Sequence, residues 1–323
     1  MTENPVIAEV TRGGIVESRH RGAYAVTDAS GTIVLAAGDI STPVFPRSAI
    51  KAFQFVPVIA SGAADHFALT DEEIALCCAS HHGEERHVAV ARSILSKCGC
   101  SETDYECGAH LPSDKSASHA LVRSGEPAGQ VHNNCSGKHA GMLAYAAHMK
   151  LDRRNYTDLD HPVQKSVAAT LEQFCEIDIA TAPVGIDGCS VPTWAVPLKN
   201  LAVGFARLPS DPAGQRIVNA VRAHPFMVAG SQGFDTHVMQ AVPRLFVKYG
   251  AEAVYCGCIP HANLGFALKV DDGASRAAEV AIAGLMLKLG CWTREERSHL
   301  AGFANVTLRN WRKRDVGLNR ATV

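Results

Sequence analysis

Gly22-Ala23-Tyr24-Ala25-Val26-Thr27, Asp28-Ala29-Ser30-Gly31 and Thr32-Ile33-Val34-Leu35-Ala36-Ala37 read in order as strand, turn and strand. Apolar, β-rich runs flanking an Asp/Ser/Gly turn are a hairpin signal. A matching group lies near the other end of the chain. There Ala253-Val254-Tyr255-Cys256-Gly257-Cys258-Ile259 and Leu264-Gly265-Phe266-Ala267-Leu268-Lys269-Val270 read as strands, and Asp271-Asp272-Gly273 as a turn. Between the two groups the pattern is helical over 48–62, from Asp71, over 84–97 with Gly99 as a stop, over 137–149 and over 162–174. One more helix is expected over 277–290. Strands at both ends with helices between them predict a mixed α/β (α+β) fold. The terminal strands join into one antiparallel sheet flanked by helices, beside a mainly helical lobe. The expected division is 1–46 with 240–323 for the sheet-containing lobe, and 47–239 for the helical lobe carrying most site loops.

The composition sets outer bounds. The chain has 323 residues, 47% hydrophobic and 20% charged, with 31 Lys and Arg against 32 Asp and Glu. This is a globular composition with ample core material, and its near-neutral balance argues against nucleic acid as a partner. No apolar run reaches the roughly 18 residues of a membrane span, and no basic-then-apolar leader opens the chain, so no membrane association and a cytoplasmic location are expected. The 11 cysteines are an odd number and scattered, which fits reduced thiols better than a disulfide framework.

Several polar stretches stand out from this background. Arg47-Ser48-Ala49-Ile50-Lys51 opens the first long helix, and Ser48 and Lys51 share a helix face at a spacing of three. A serine hydroxyl becomes a nucleophile when a base takes its proton, and a lysine serves as that base only as a free amine. On spacing alone, a capping serine and an exposed lysine is the simpler reading. Cys78-Ala79-Ser80-His81-His82-Gly83 follows an apolar helix and offers Ser80 as a second hydroxyl or as the cap of the next helix. Asn133-Asn134-Cys135-Ser136-Gly137-Lys138-His139 repeats the spacing of three in Cys135 and Lys138. It lacks the Gly and Ser/Thr positions of a phosphate loop, and Cys135 reads as nucleophile, metal ligand or structural thiol. Gly185-Ile186-Asp187-Gly188-Cys189 joins an acid suited to an ammonium group with another thiol. Cys135 and Cys189 together would make a soft site suited to zinc. Arg244-Leu245-Phe246-Val247-Lys248-Tyr249-Gly250 carries one more lysine, read by itself as a solvated helix-end residue, and Asn310–Arg314 reads as a solvated basic end.

Together these blocks resemble the class 3, or rhizobial-type, L-asparaginases of the asparaginase II family. The resemblance runs from Arg12-Gly-Gly-Ile-Val-Glu17 through Ala-Glu-Ala at 251–253 to the Lys269–Gly273 turn. Between them fall Arg47-Ser48-x-x-Lys51, Cys78-Ala-Ser-His81, Asn134–His139, Asp187-Gly-Cys189 and His224-Pro-x-Met-Val-Ala-Gly230. It implies a fold similar to serine β-lactamases and Ser-Lys glutaminases, and two Ser-Lys tandems, Ser48 with Lys51 and Ser80 with Lys248. It also implies a zinc ion bound by Cys135, Lys138 and Cys189, substrate contacts from Asp187, His139 and Arg47, and a homodimer. The expected reaction is hydrolysis of L-asparagine to L-aspartate and ammonia. Its rivals are a Ser-Lys glutaminase, a β-lactam-reactive acyl-enzyme hydrolase, a zinc hydrolase and a non-catalytic amino-acid-binding protein. The Ser-Asp-Asn and Lys-Thr-Gly companions of β-lactamases are absent.

Overall fold

The computed structural model describes residues 3–323. The fold is α+β, and its chain divides into a sheet-containing unit and a helical unit. The first comprises the residues before Ile50 together with 196–207 and 238–323; the second comprises 50–195 and 208–237.

The sheet is antiparallel, as the two terminal groups of strands predict. From edge to edge it runs Asn305–Arg309, Asp315–Ala321, Val6–Arg12, Ile15–Asp28, Leu264–Val270, Val254–Ile259 and Phe246–Gly250. The strand Ile33–Ala37 pairs separately with Ile15–Asp28. The long strand Ile15–Asp28 stitches the two chain ends together. Its first half pairs with Val6–Arg12 and its second half with Leu264–Val270. Gly22 sits at the handover, where a Cβ would lie 2.3 Å from Lys269 O and 2.5 Å from Ile7 Cδ1. Every residue of Val254–Ile259 is buried, so both faces of this strand are covered. That explains why its sequence is continuously apolar and does not alternate. The helix Leu198–Arg207 packs on the central strands. It comes so close that a Cβ on Gly265 would meet Ala202 O at 2.1 Å.

Two expectations need correction. Lys248 is a strand residue and 1% exposed, because the charged positions of 244–250 interrupt an apolar strand and do not end a helix. Asn310–Arg314 does not end the ordered chain. It is the turn of a hairpin whose strands form one edge of the sheet, with Trp311 at its exposed tip.

The sheet unit also holds a strong ion pair. Arg244 donates through Nε to Glu296 Oε1 at 3.0 Å and through Nη2 to Oε2, while Thr293 N donates to Oε2 at 2.8 Å. The Arg244 hydrogen bonds, aided by Thr293 and opposed by burial, bring Glu296 down to about 2. A depressed carboxylate stabilises the fold above its unfolded value and loses that contribution as the pH falls through its folded value. Glu296→Gln is expected to cost about 2 kcal/mol at pH 7. In urea titrations the gap between variant and native protein should shrink below pH 4. A gap unchanged at pH 3 would contradict this linkage.

The helical unit is built on close helix contacts. Thr70 and Glu73 form a reciprocal cap that starts Asp71–Cys77, the two side chains each accepting from the other's backbone N–H. The Ser136–His148 helix crosses this helix at Gly137, where a Cβ would lie 2.3 Å from Leu76 O and 2.8 Å from Leu76 Cγ. One turn on, Gly141 faces the Phe55 ring of Lys51–Ala60, and a Cβ would lie 2.8 Å from Phe55 Cε2. No helix among the described residues is long and apolar enough to cross a membrane, and all 11 cysteines are free thiols.

Candidate active site

The contacts at Gly137 and Gly141 bring three chain segments together inside the helical unit: the start of Lys51–Ala60, the loop after Asp71–Cys77, and the start of Ser136–His148. Lys51 is 0% exposed, so the simpler reading of an exposed lysine is overturned. Its Nζ donates to Ala79 O, to Ser80 Oγ at 3.2 Å and to Asn134 O at 3.3 Å. Ser80 is not a cap for the next helix. Glu84 holds that position, with its backbone N–H donating to His87 Nδ1.

Cys135, Lys138 and Cys189 also converge. Lys138 Nζ donates to Cys189 Sγ at 2.8 Å, and the two thiols share a hydrogen bond. Cys189 reaches this point from the turn at the tip of a two-stranded ribbon, Val184–Ile186 paired with Pro192–Trp194. The turn is closed by Ser190 N donating to Asp187 O and Asp187 N donating to Val191 O. The hydrogen bond from Cys189 holds Cys135 well below the ordinary thiol range, against its burial, with help from the Lys51 and Lys138 charges. By donating that bond, and by burial, Cys189 is raised. Burial opposes the charge of Lys138, but the two sulfurs and Asp187 outweigh it and raise this lysine. Among the described residues no cluster of three His, Cys, Asp or Glu side chains is arranged to hold a metal. Two thiols and an amine nevertheless form a soft, buried donor set, and three such donors fit a zinc ion with one position left open.

Histidines brace this arrangement. His81 is fully buried, and burial with nearby positive charge keeps it well below its ordinary value, so it is neutral. Its Nδ1 accepts from Gly83 N at 3.1 Å, which puts the ring proton on Nε2, 2.9 Å from Ser136 Oγ. It thus ties the Ser80 loop to the residue after Cys135. His139 is equally buried and neutral, through burial and then the Lys138 and Lys51 charges. Tyr156 OH accepts from Glu106 N at 2.9 Å and pairs with His139 Nδ1 at 2.7 Å. The tyrosine proton therefore points to Nδ1 and leaves His139 Nε2–H as a donor, and that buried atom has no partner among the described residues. The sequence carries no signal for Tyr156, which acts across 17 residues from an irregular loop. The Gly230 motif also acquires a physical reason. Gly230 has φ +69° and a Cβ there would strike Glu84 Oε1 at 2.2 Å, while Ser231 N donates to the same carboxylate at 2.7 Å.

The remaining candidates lie in the sheet unit. Ser48, half-buried, belongs to a 3-10 turn, Arg47–Ile50, which runs directly into the helix starting at Lys51. Arg47 takes φ +52°, uncommon for a residue with a side chain. Lys248 Nζ donates to Tyr249 O at 2.6 Å. Alternation puts Lys248 and Gly250 on one face of their strand. The Ser48 turn rests on that face, since a Cβ on Gly250 would lie 2.2 Å from Pro46 O and 2.8 Å from Ala49 N. A cleft of about 1010 Å³ also opens inside the helical unit, bordered by Gly83, Glu84, Asp114, Glu126 and His132. None of the candidate residues lines it, and its acidic rim is ill-suited to the carboxylate of an amino acid.

Because Gly137 has no room for a side chain, Gly137→Ala is expected to destabilise the protein by about 3 kcal/mol. An unchanged thermal midpoint would contradict the packing described here.

The buried Lys51, bonded to the Ser80 hydroxyl and lying beside the paired thiols, is the centre of this candidate site. A family model described as L-asparaginase II matches residues 8–321, and the chain belongs to that family. It is an L-asparaginase enzyme. A comparison with curated proteins found no match.

Proposed function

We propose that the enzyme hydrolyses L-asparagine to L-aspartate and ammonia through a serine nucleophile armed by lysine. The observation that carries this reading is Lys51. It is wholly removed from water, bonded to two carbonyls and the Ser80 hydroxyl, and one helical turn after Ser48. Lys51, which donates to three acceptors at rest, first has to lose a proton; as a free amine it then takes the Ser48 proton while Ser48 Oγ attacks the carboxamide carbon, and returns that proton to the departing ammonia. The N–H groups of the first turn stabilise the oxyanion. Water then hydrolyses the acyl-enzyme. Ser80 and Lys248 pass protons between the serines and the amines. Asp187 receives the substrate ammonium group, while His139 Nε2–H and Arg47 receive its carboxylate. Zinc held by Cys135, Lys138 and Cys189 would act as a Lewis acid that orients the substrate. We infer further that the enzyme works as a homodimer in the cytoplasm, where its free thiols stay reduced.

The test is ammonia release from L-asparagine and from L-glutamine, each with and without a zinc chelator. Asparagine turnover that survives chelation in part supports the serine–lysine reading. Complete loss on chelation, restored by zinc alone, would favour a zinc hydrolase. One methylene is worth about 1–3 kcal/mol in a pocket, so the ratio of the two turnovers reads which side chain the pocket fits.

A further inference from the structure

Two features of the chain are left unused by the asparagine chemistry. The first is the hairpin turn Asn310–Arg314. Asn310 N donates to Arg314 O at 3.0 Å, Lys313 N donates to Asn310 O at 2.8 Å, and Asn310 Oδ1 accepts from Arg312 N and Arg314 N at 3.0 Å. These bonds fix the tip, and on it Trp311 is 101% exposed. An indole offers one of the largest apolar areas a side chain can bury, and tryptophan is among the residues that most often anchor an interface. Arg309 is paired with Asp315 at 2.9 Å, whereas Arg312, Lys313 and Arg314 form no ion pair among the described residues. The tip is thus a rigid indole beside three free cations.

The second feature is the cleft of about 1010 Å³ in the helical unit. One wall is the helix Lys115–Ser124, none of whose residues is buried. Ala117 and Leu121, one turn apart on that helix, line the cleft without a covering side chain layer. Glu84, Glu85, Asp114 and Glu126 give it an acidic rim, and Arg92, which also lines it, is already held by Glu102 at 2.7 Å. An apolar wall within an acidic rim is complementary in charge and character to an indole among cations.

We propose that Trp311 and the three cations beside it seat in this cleft on a second copy of the chain, so that hairpin and cleft form the interface of the homodimer. This rests on the homodimer inferred above and names the surface that holds it. The indole lies against Ala117 and Leu121, while Arg312, Lys313 and Arg314 face the four carboxylates. A two-fold pair contains the contact twice, each copy giving a hairpin and receiving one, and so closes at two chains. Because the contact joins opposite charges at an open rim, salt weakens it.

The experiment starts from the native enzyme. Trp194 and Trp292 are 3% and 7% exposed, so Trp311 is the tryptophan that acrylamide reaches. Quenching is read across a dilution series beside sedimentation velocity. Quenching should fall as the mass doubles, and added sodium chloride should move both transitions to higher concentration. Trp311→Ala and, from the other side, Leu121→Arg should each raise the dimer Kd by about 30-fold or more, with circular dichroism unchanged. A cleft variant, Glu85→Lys with Glu126→Lys, and a hairpin variant, Arg312→Glu with Lys313→Glu, should each pair poorly with itself. A mixture of the two should dimerise again, since both contacts then match. A wild type that stays a single chain at every concentration would remove the homodimer and this interface together. A dimer in which Trp311 stays fully quenchable, a Kd moved less than about threefold by Trp311→Ala, or a mixture that does not pair would keep the homodimer and overturn this interface. Shielding of Trp311 by phosphatidylserine–phosphatidylcholine vesicles, with none on raising the protein concentration, would assign the tip to a membrane surface and overturn it as well.

Discussion

Lys51→Met is expected to lower asparagine turnover by roughly 10³-fold or more, with KM changed far less. A positioned base contributes about 10²–10⁴ to a rate, and the same lysine is asked to serve twice, at attack and at departure of ammonia. Methionine keeps the apolar stem and the volume of a side chain that is 0% exposed, so the helix packing around Phe55 and Leu76 can persist. The substitution does leave Ala79 O, Asn134 O and the Ser80 hydroxyl without the donor they have now. A stability cost of about 1–3 kcal/mol is expected from those unpaired groups, so thermal unfolding belongs beside the kinetics. A folded variant that loses less than tenfold in kcat would remove Lys51 from the role of base. A rise in KM with kcat preserved would assign it to substrate binding instead.

How far the sequence reaches depends on where the determining interaction sits. The sheet was legible because strand pairs such as 254–259 and 264–270 carry their own apolar composition and turn residues. The spacing of three in Ser48/Lys51 and Cys135/Lys138 was legible for a similar reason, since it is local. What holds Lys51 was not, because two of its partners are backbone carbonyls and a carbonyl has no sequence signature. Gly137 opens the expected 137–149 helix and falls in the Asn133–His139 motif, and Gly141 lies one turn on, but neither glycine carries a local signal of its purpose. Their purpose, the approach to Leu76 and Phe55, exists only once three helices are assembled. Lys248 was misread in isolation because a buried cation contradicts the apolar pattern of its strand. Such local conflicts are expected at functional sites, where the surrounding fold supports an otherwise unfavourable choice. Ser48 departs more mildly. Its position at the entry to the helix was legible, but the tight 3-10 turn and the left-handed Arg47 before it were not.

The loss expected from Ser48→Ala is as large as that from Lys51→Met, and it bears on the chemistry with less structural disturbance. Ser48 is half-buried, and replacing a hydroxyl with hydrogen adds no volume. Without this oxygen no acyl-enzyme forms at that position, and what remains is whatever the oxyanion donors and substrate contacts achieve with water. Losses of about 10³–10⁶ follow when a serine nucleophile is removed from such a machine. Ser80→Ala interrupts proton transfer but leaves the attacking atom, so its loss should be smaller. The decisive assay is ammonia release from saturating L-asparagine by purified Ser48→Ala whose circular dichroism and melting curve match the wild type. Turnover reduced at least 10³-fold is the result expected for a serine that attacks the carboxamide; a folded Ser48→Ala enzyme that keeps more than a tenth of wild-type turnover would show that another group does so.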